Sequence, residues 1–186
     1  MLAGLKPPDP PLTDGVVTLR LPDEHDIPAM REVPDSQIVR FIFGDAPEPP
    51  DPGEALARYR EWWSAGTNAF FSVDAVGHEE RVGAARVLFG LADPFGFAEV
   101  GFIFRPAGRG HGYATRTVRL LAHWVFDSLG LGRLQARTHL DNLASQRVLE
   151  RVGFQWEGVA RSGSVLPITD ERIDVAMWSL LPSDLV

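Results

Sequence analysis

Apolar residues alternate with polar ones in several short segments and recur at helical spacing in a few longer ones. Alternation is typical of a strand with one buried face, whereas apolar residues three or four positions apart indicate one face of a helix. The pattern predicts strands at residues 16–21, 70–76, 81–90, 97–104 and 134–138, helices at 23–31, 52–65, 113–129 and 143–152, and two strands within 154–178 around a turn near Pro167.

The order of these elements indicates the class of fold. It runs strand, two helices, three strands, helix, strand, helix and two strands, whereas a doubly wound parallel sheet alternates strands and helices throughout. We therefore predict an α/β (α+β) fold with a mixed, mostly antiparallel twisted sheet of about seven strands flanked by about four helices. The 186 residues suit one domain, which we place at residues 14–183 after a flexible proline-rich tail at residues 1–13.

Composition excludes several classes of function. The chain has no cysteine, which rules out disulfides, thiolate metal sites and cysteine nucleophiles. The formal net charge of −7 argues against a general nucleic-acid surface, and the spacing of the five histidines matches no metal motif. The sequence has neither an apolar run of about 20 residues nor the N-terminal pattern of a secretory signal. We expect no membrane segment and a cytoplasmic location.

A cluster of glycines lies between the strand predicted at 97–104 and the helix that follows it. The stretch FRPAGRGHGYATR contains Gly108, Gly110 and Gly112. Such a junction can be a tight turn, or a cradle of backbone N–H groups that binds an anion at the start of the helix. Neither common nucleotide loop fits, because no lysine follows the glycines and the third glycine of a dinucleotide loop would fall at Tyr113.

The cluster does match a third pattern, R/Q-x-x-G-x-G/A, at residues 109–114. This is the acetyl-CoA pyrophosphate loop of the GNAT N-acetyltransferase superfamily. The match continues into AEVGFIFRP at residues 98–106 and into a downstream motif formed by Asn142, Ser145, Gly153 and Phe154. Together with the opening VVTLRLPDEHDIPAM, these motifs most resemble the RimJ/RimL-like branch, which acetylates protein N-termini. The resemblance covers about residues 14–182.

This resemblance implies a GNAT fold and acetyl-CoA as the co-substrate. In the family, the fourth and fifth strands splay apart, and the freed backbone of the fourth strand holds the pantetheine and the thioester. Those contacts fall here on Phe102, Ile103 and Phe104, while Asn142 contacts the cofactor or caps the following helix. The pyrophosphate would be held by the loop residues Arg109, Gly110, His111, Gly112, Tyr113 and Ala114, with the His111 side chain facing outward.

The resemblance also implies two catalytic residues. A primary amine must lose a proton to attack a thioester, and Glu99, on the strand before the loop, is the predicted general base. Ser145 corresponds to the residue that assists the leaving thiolate. Other superfamily members place a tyrosine seven residues after the asparagine, where this chain has Leu149. The alternatives are a solvated strand glutamate at 99 and a serine that only packs at 145.

The predicted partner is an amine acceptor, either a protein or peptide α-amine or a small amine. Direct attack is expected because the chain has no cysteine to carry an acyl group. The alternative is a non-catalytic acyl-CoA-binding module with the same fold. We predict no metal site and no nucleic-acid partner, and homodimers are common among relatives. Of Trp62 and Trp63, adjacent on one helix, we expect one in the core and the other near the acceptor.

Overall fold

A computed structural model describes residues 4–27, 51–89, 96–166 and 170–185. Within these ranges the chain forms eight strands and three α-helices. The strands are β1 (Leu12–Thr13), β2 (Val17–Arg20), β3 (Asn68–Ala75), β4 (Gly83–Leu88), β5 (Phe97–Phe104), β6 (Arg133–His139), β7 (Gln155–Val165) and β8 (Arg172–Leu180). The helices are α1 (Pro52–Ala65), α2 (Tyr113–His123) and α3 (Leu143–Val152).

The eight strands form one open sheet in the order β1-β2-β3-β4-β5-β6-β8-β7. Among the described strands only β5 and β6 pair in parallel, and all other neighbours are antiparallel. The parallel pair needs a crossover, which α2 provides on one face of the sheet. The predicted fold class, a mixed and mostly antiparallel sheet with flanking helices, is confirmed, with eight strands instead of about seven.

The additional strand lies in the segment that we predicted to be a flexible tail. Leu12 pairs with Leu19 and Thr13 with Thr18, while the Gly4 N–H donates to the Ser64 carbonyl at 3.1 Å. The first strand therefore begins before the predicted domain boundary at residue 14. Two residues beside a run of prolines are too few to show alternation of apolar and polar side chains. The strand is held by its pairing with β2.

Two predicted elements lie partly outside the described residues. The helix predicted at 23–31 can be followed only to Ile27, and its first residues form a 3₁₀ turn at Glu24–Asp26. The turn near Pro167 also lies outside the described residues. The long helix predicted at 113–129 is present as α2 and continues as a π-helical turn at Trp124–Ser128.

The parallel pair separates after three residue pairs. Phe97, Ala98 and Glu99 pair with Arg133, Leu134 and Gln135, and within the described strands the ladder between them ends there. β5 continues along β4 as far as Phe104, while β6 continues along β8 as far as His139. The result is a wedge between the two strands, which we call the β5/β6 opening. It confirms the predicted splay, with Glu99 and Gln135 at its apex.

The core fills the sheet face covered by α2 and α3. Val118, Leu121, Leu134, Leu149 and Leu180 are all fully buried there. Burying an aliphatic side chain of this size contributes about 1.5–3 kcal/mol, so this face fixes the position of both helices on the sheet.

The two adjacent tryptophans of α1 separate as predicted, with one of them in the core. Trp63 is buried against Phe71 and Trp124. Trp62 is half-buried and packs against Tyr59 in a smaller cluster. A role for Trp62 near an acceptor stays a prediction.

Candidate active site

The glycine loop leads into a helix N-terminus that suits an anion. Gly110 and Gly112 both have φ near +78°, in the left-handed region, and Gly112 is the N-cap of the eleven-residue helix α2. In the described part of the chain no side chain caps this helix, and its first turn has no acidic residue. The first N–H groups of α2 and the positive end of its dipole are therefore available to a negatively charged ligand.

Gly108 has a different role from the two glycines that follow it. A Cβ atom there would lie 2.5 Å from the carbonyl oxygen of Val82, whereas a Cβ at Gly110 or Gly112 would meet nothing within 4 Å. Gly108 thus allows the loop to pack on the segment before β4. The other two glycines supply the backbone conformation that turns the chain into α2.

The arginines near the loop are bound to protein groups. Arg109 donates from Nε to the Phe104 carbonyl at 2.8 Å, which ties the loop to the end of β5. Arg116 forms an ion pair with Asp14 at 2.6 Å. Partial burial opposes ionisation of Asp14, but hydrogen bonds from the Val17 backbone and from Arg116 hold its pKa below the ordinary value. Phosphate recognition here would depend mainly on backbone groups.

Three aromatic side chains cluster beside the start of α2. His111 is exposed and stacks on Tyr113 with ring centroids 5.3 Å apart. The Tyr113 hydroxyl lies 3.4 Å from Nε2 of His78, on the turn between β3 and β4. The exposed position of His111 fits the expectation that its side chain faces outward. His78 was not singled out from the sequence.

The backbone of β5 presents alternate residues to the β5/β6 opening. At its start the Gly96 carbonyl accepts from Gly132 on the β6 side, and at its end the Arg105 N–H donates to Val82 on the β4 side. Because backbone groups alternate along a strand, Phe102 and Phe104 direct theirs into the opening. Ile103 directs its own towards β4, so of the three predicted contact residues the two phenylalanines have backbone groups that face the opening.

Glu99 lies at the apex of the opening, and its side chain is almost fully buried. Its carboxylate accepts from Gln135 Nε2 at 3.0 Å and from Arg137 Nη2 at 2.8 Å. The Nε of Arg137 is shared between the two carboxylate oxygens at 2.9 and 3.0 Å. The solvated strand glutamate considered as an alternative is therefore not what the structure contains. Glu99 is a buried, charge-paired carboxylate.

Asn142 and Ser145 lie at the start of α3. Asn142 is the N-cap, with Oδ1 accepting from the Ser145 N–H at 3.1 Å, as the capping alternative expected. This bond leaves the Asn142 Nδ2 group as a donor for another partner. α3 begins just after the C-terminal end of β6, and α2 begins just after that of β5. Because β5 and β6 are parallel, both helix N-termini stand at the wide end of the opening.

The predicted residues thus divide into two groups. The loop at 109–114, the end of β5 and the start of α3 surround the wide end of the opening, while Glu99 lies at its apex. Sequence reasoning missed Gln135 and Arg137, which bind Glu99. A signal was present, since both are polar residues two positions apart on β6 and so share one face of that strand.

Two negative results apply to the described residues alone. No group of three or more His, Asp or Glu side chains there could hold a metal ion. Among the same residues, no helix combines the length and the apolar character needed to cross a bilayer.

The fold is that of an α/β protein with a splayed parallel strand pair and an uncapped helix N-terminus at its mouth, and such a helix end suits an anion. Residues 17–155 match the family described as the Acetyltransferase (GNAT) domain. The chain belongs to that family.

Individual relatives agree with this assignment. The Bacillus subtilis (strain 168) protein named Probable N-acetyltransferase YjcK is 29% identical over 106 residues, which are 57% of this chain and 59% of YjcK. The chain spans about half the length of the curated relatives it matches.

Solved structures share the fold. Mycobacterium smegmatis RimJ in complex with CoA-disulfide has a TM-score of 0.80 at 19% identity, covering 92% of this chain and 84% of that one. The ribosomal-protein-S5-alanine acetyltransferase of Vibrio fischeri has a TM-score of 0.77 at 20% identity, covering 95% and 98%. The spermidine N-acetyltransferase of Vibrio cholerae, in complex with CoA and spermine, has a TM-score of 0.72 at 18% identity, covering 92% and 98%.

Proposed function

We propose that this chain is an acetyl-CoA-dependent N-acetyltransferase of the RimJ/RimL-like type, which transfers an acetyl group to a primary amine. The observation that carries the proposal is the uncapped N-terminus of α2 beside the free backbone edge of β5, in a chain of this family. An anion and an extended amide-containing chain can bind side by side there, and these are the pyrophosphate and pantetheine parts of acetyl-CoA.

Each part of the donor has a matching group in the protein. The first N–H groups of α2, with Gly110 and Gly112, would hold the pyrophosphate. The backbone N–H and C=O groups of Phe102 and the N–H of Phe104 would pair with the pantetheine amides, as an added strand pairs with a sheet edge, while the Phe104 carbonyl accepts from Arg109. The Asn142 amide at the start of α3 would donate to the cofactor or to the acceptor.

The chemistry requires one proton acceptor and some help for the leaving group. Bound acetyl-CoA supplies the activated acetyl thioester; the new C–N bond forms, the C–S bond breaks, and the proton lost by the amine balances the one gained by the thiolate. Glu99 would accept the amine proton through a water molecule. Backbone N–H groups of β5 would stabilise negative charge on the thioester oxygen, and the Ser145 hydroxyl would donate to the departing sulfur.

The names of two structural neighbours support a primary amine as the acceptor class. Of the structural neighbours, one is named for the alanine of a ribosomal protein and another for spermidine. We propose either a protein or peptide N-terminus or a small amine for this chain. A net charge of −7 favours a cationic acceptor of either kind.

Donor binding can be tested at Gly112. A Cβ there would meet nothing within 4 Å, and Asp and Asn are alike in shape and tolerate the left-handed region, so backbone strain is matched between the two variants. Gly112→Asp adds a negative charge beside the proposed pyrophosphate, and Gly112→Asn does not. We expect Gly112→Asp to bind acetyl-CoA about tenfold more weakly than Gly112→Asn in calorimetry, equal to roughly 1.4 kcal/mol. Equal affinities would contradict the proposed pyrophosphate site.

Turnover can be tested by following release of free CoA with a panel of N-terminal peptides and small amines, with mass spectrometry of the product. Glu99→Gln should lower kcat by about 10² or more and leave acetyl-CoA affinity nearly intact. An unchanged rate would remove Glu99 from the mechanism. Acetyl-CoA binding with no CoA released by any amine would favour the alternative, an acyl-CoA-binding module without turnover.

A further inference from the structure

Arg137 binds Glu99, although the register of β5 and β6 does not align these two residues. The β5–β6 ladder aligns Phe97 with Arg133 and Glu99 with Gln135, so continuing it would align Gly101 with Arg137. The strands have already separated at that level. The Arg137 guanidinium instead reaches back across the opening to the Glu99 carboxylate at the apex.

The contact leaves the carboxylate with limited capacity for further partners. Three N–H groups of the described residues point at Glu99, namely Nε and Nη2 of Arg137 and the Nε2 amide of Gln135. An ionised carboxylate has about four lone-pair sites, and the Nε–H of Arg137 is shared between both oxygens, so little accepting capacity remains. A bidentate guanidinium also fixes the plane of the carboxylate, which a single-point contact cannot do.

Arg137 also contacts β7, which pairs with β8 on the side of β6 away from β5. Its Nη1 lies 3.4 Å from the Gly163 carbonyl, inside a bulge of β7 between Ala160 and Ser164. This bulge is tightly built, because a Cβ at Gly163 would lie 2.8 Å from atoms of both Ala160 and Val175. The Asp174 carboxylate accepts from the Ser162 N–H at 2.7 Å and holds the bulge to β8.

We propose that Arg137 is a positioning residue for acetyl transfer, which fixes the Glu99 carboxylate at the apex so that its remaining accepting capacity serves the proton leaving the amine. The inference rests on the proposed function. Arg137 acts through Glu99. Its contact with the β7 bulge holds the guanidinium in place from the β6 side of the opening. The residue is therefore needed for turnover and not for donor binding.

The test compares Arg137→Gln with a matched control, Arg133→Gln. Arg133 lies on the same face of β6 and forms its own bidentate pair with Glu157, outside the opening. We expect Arg137→Gln to lower kcat for the best amine at least tenfold while the Kd for acetyl-CoA stays within about twofold. Arg133→Gln should change neither value more than twofold. Equal kcat values for the two variants would overturn the inference.

Two further variants separate positioning from simple support of the fold. Arg137→Lys keeps the charge but not the bidentate geometry, and should recover only part of the lost kcat. The double variant Glu99→Gln/Arg137→Gln should be no slower than Glu99→Gln alone, because Arg137 acts through Glu99. A double variant at least tenfold slower than Glu99→Gln would mean that Arg137 acts on a substrate directly, and would overturn the inference.

The failure of the proposed function looks different from the failure of this inference. If the wild-type protein releases no CoA with any amine, both are overturned. If the wild-type protein turns over and Arg137→Gln matches Arg133→Gln in a sample with native circular dichroism, only the inference is overturned. If Arg137→Gln does not fold, Arg137→Lys decides, since full activity in that variant contradicts a need for bidentate geometry.

Discussion

Two arginine–glutamate pairs on one face of β6 differ mainly in where they lie. Arg133 binds Glu157 through two parallel hydrogen bonds of 2.6 and 2.8 Å, and Arg137 binds Glu99 in a similar bidentate way. The Arg133 and Glu157 side chains are 33% and 39% exposed, whereas Arg137 is 24% exposed and Glu99 only 8%. Both pairs are bidentate, through Nη1 and Nη2 of Arg133 and through Nε and Nη2 of Arg137, but the two carboxylates differ in their exposure to water.

The difference decides what each pair does. An exposed pair gains little, because water solvates the separated charges almost as well as the pair does. A buried carboxylate depends on its partner, because without that partner the charge remains in a poorly solvating environment. The outer pair is therefore a minor surface contact. The inner pair holds a charged group at the apex of the opening, where the reaction is proposed to occur.

The largest expected effect on stability is that of Arg137→Gln. It leaves the buried Glu99 carboxylate without its counter-charge, so the free energy of unfolding should fall by about 3 kcal/mol near pH 7. Urea denaturation of the variant and the wild type measures this difference in the free energy of unfolding. The double variant Glu99→Gln/Arg137→Gln removes both charges and should recover most of the loss. A loss no greater than that of Arg133→Gln would show that Glu99 is better solvated than its burial indicates.

A third pair tests whether burial without proximity to the opening affects activity. Asp26 is buried, binds Arg20 at 3.0 Å through Nη1, and accepts from the Ser72 hydroxyl at 2.8 Å. The pair is separated from the opening by β3 and β4. Asp26→Asn should lower the free energy of unfolding by about 2 kcal/mol near pH 7, because Arg20 keeps Asp74 as a partner. It should leave kcat for the best amine within twofold.

The effect of Asp26 should depend on pH. Burial opposes its ionisation, but hydrogen bonds from Arg20, the Asp23 backbone and Ser72 hold its pKa below the usual 3.8. A lowered pKa contributes stability that is present above the usual value and is lost as the pH falls through the folded-state value. The difference in unfolding free energy between wild type and Asp26→Asn should therefore shrink below about pH 4. A constant difference from pH 7 to pH 2.5 would contradict this.

Much of the fold could be predicted from local patterns. Residues 97–104 form a short, mostly apolar run between turn-rich segments, so β5 was predicted with its observed bounds. The same rule did not find β1, which has only two residues and is held by β2. Leu12 and Thr13 pair with residues only seven and five positions later, but two residues are too few for hydrophobic periodicity to show.

The residues of the candidate site could also be predicted only in part. Motifs located Glu99, the loop at 109–114 and Asn142, because each is a short run of sequence with a fixed spacing. They did not locate Arg137, whose partner lies 38 residues earlier in the chain. Its role depends on the divergence of β5 from β6, and that divergence exists only in the folded sheet.

The smallest expected effect is that of Arg133→Gln. The Arg133 guanidinium is the main cause of the lowered pKa of Glu157, which would otherwise titrate near 4.5. Because both side chains are about a third exposed, water weakens this attraction, and the variant should lose about 0.5 kcal/mol of unfolding free energy at low salt.

In 1 M NaCl this loss should nearly vanish, because the Debye screening length falls to about 3 Å at that ionic strength. Arg137→Gln should keep most of its larger loss in the same salt, because bulk ions screen a buried carboxylate poorly. If salt erased both losses equally, burial would not be what distinguishes the two pairs, and Glu99 would have to be treated as a surface carboxylate.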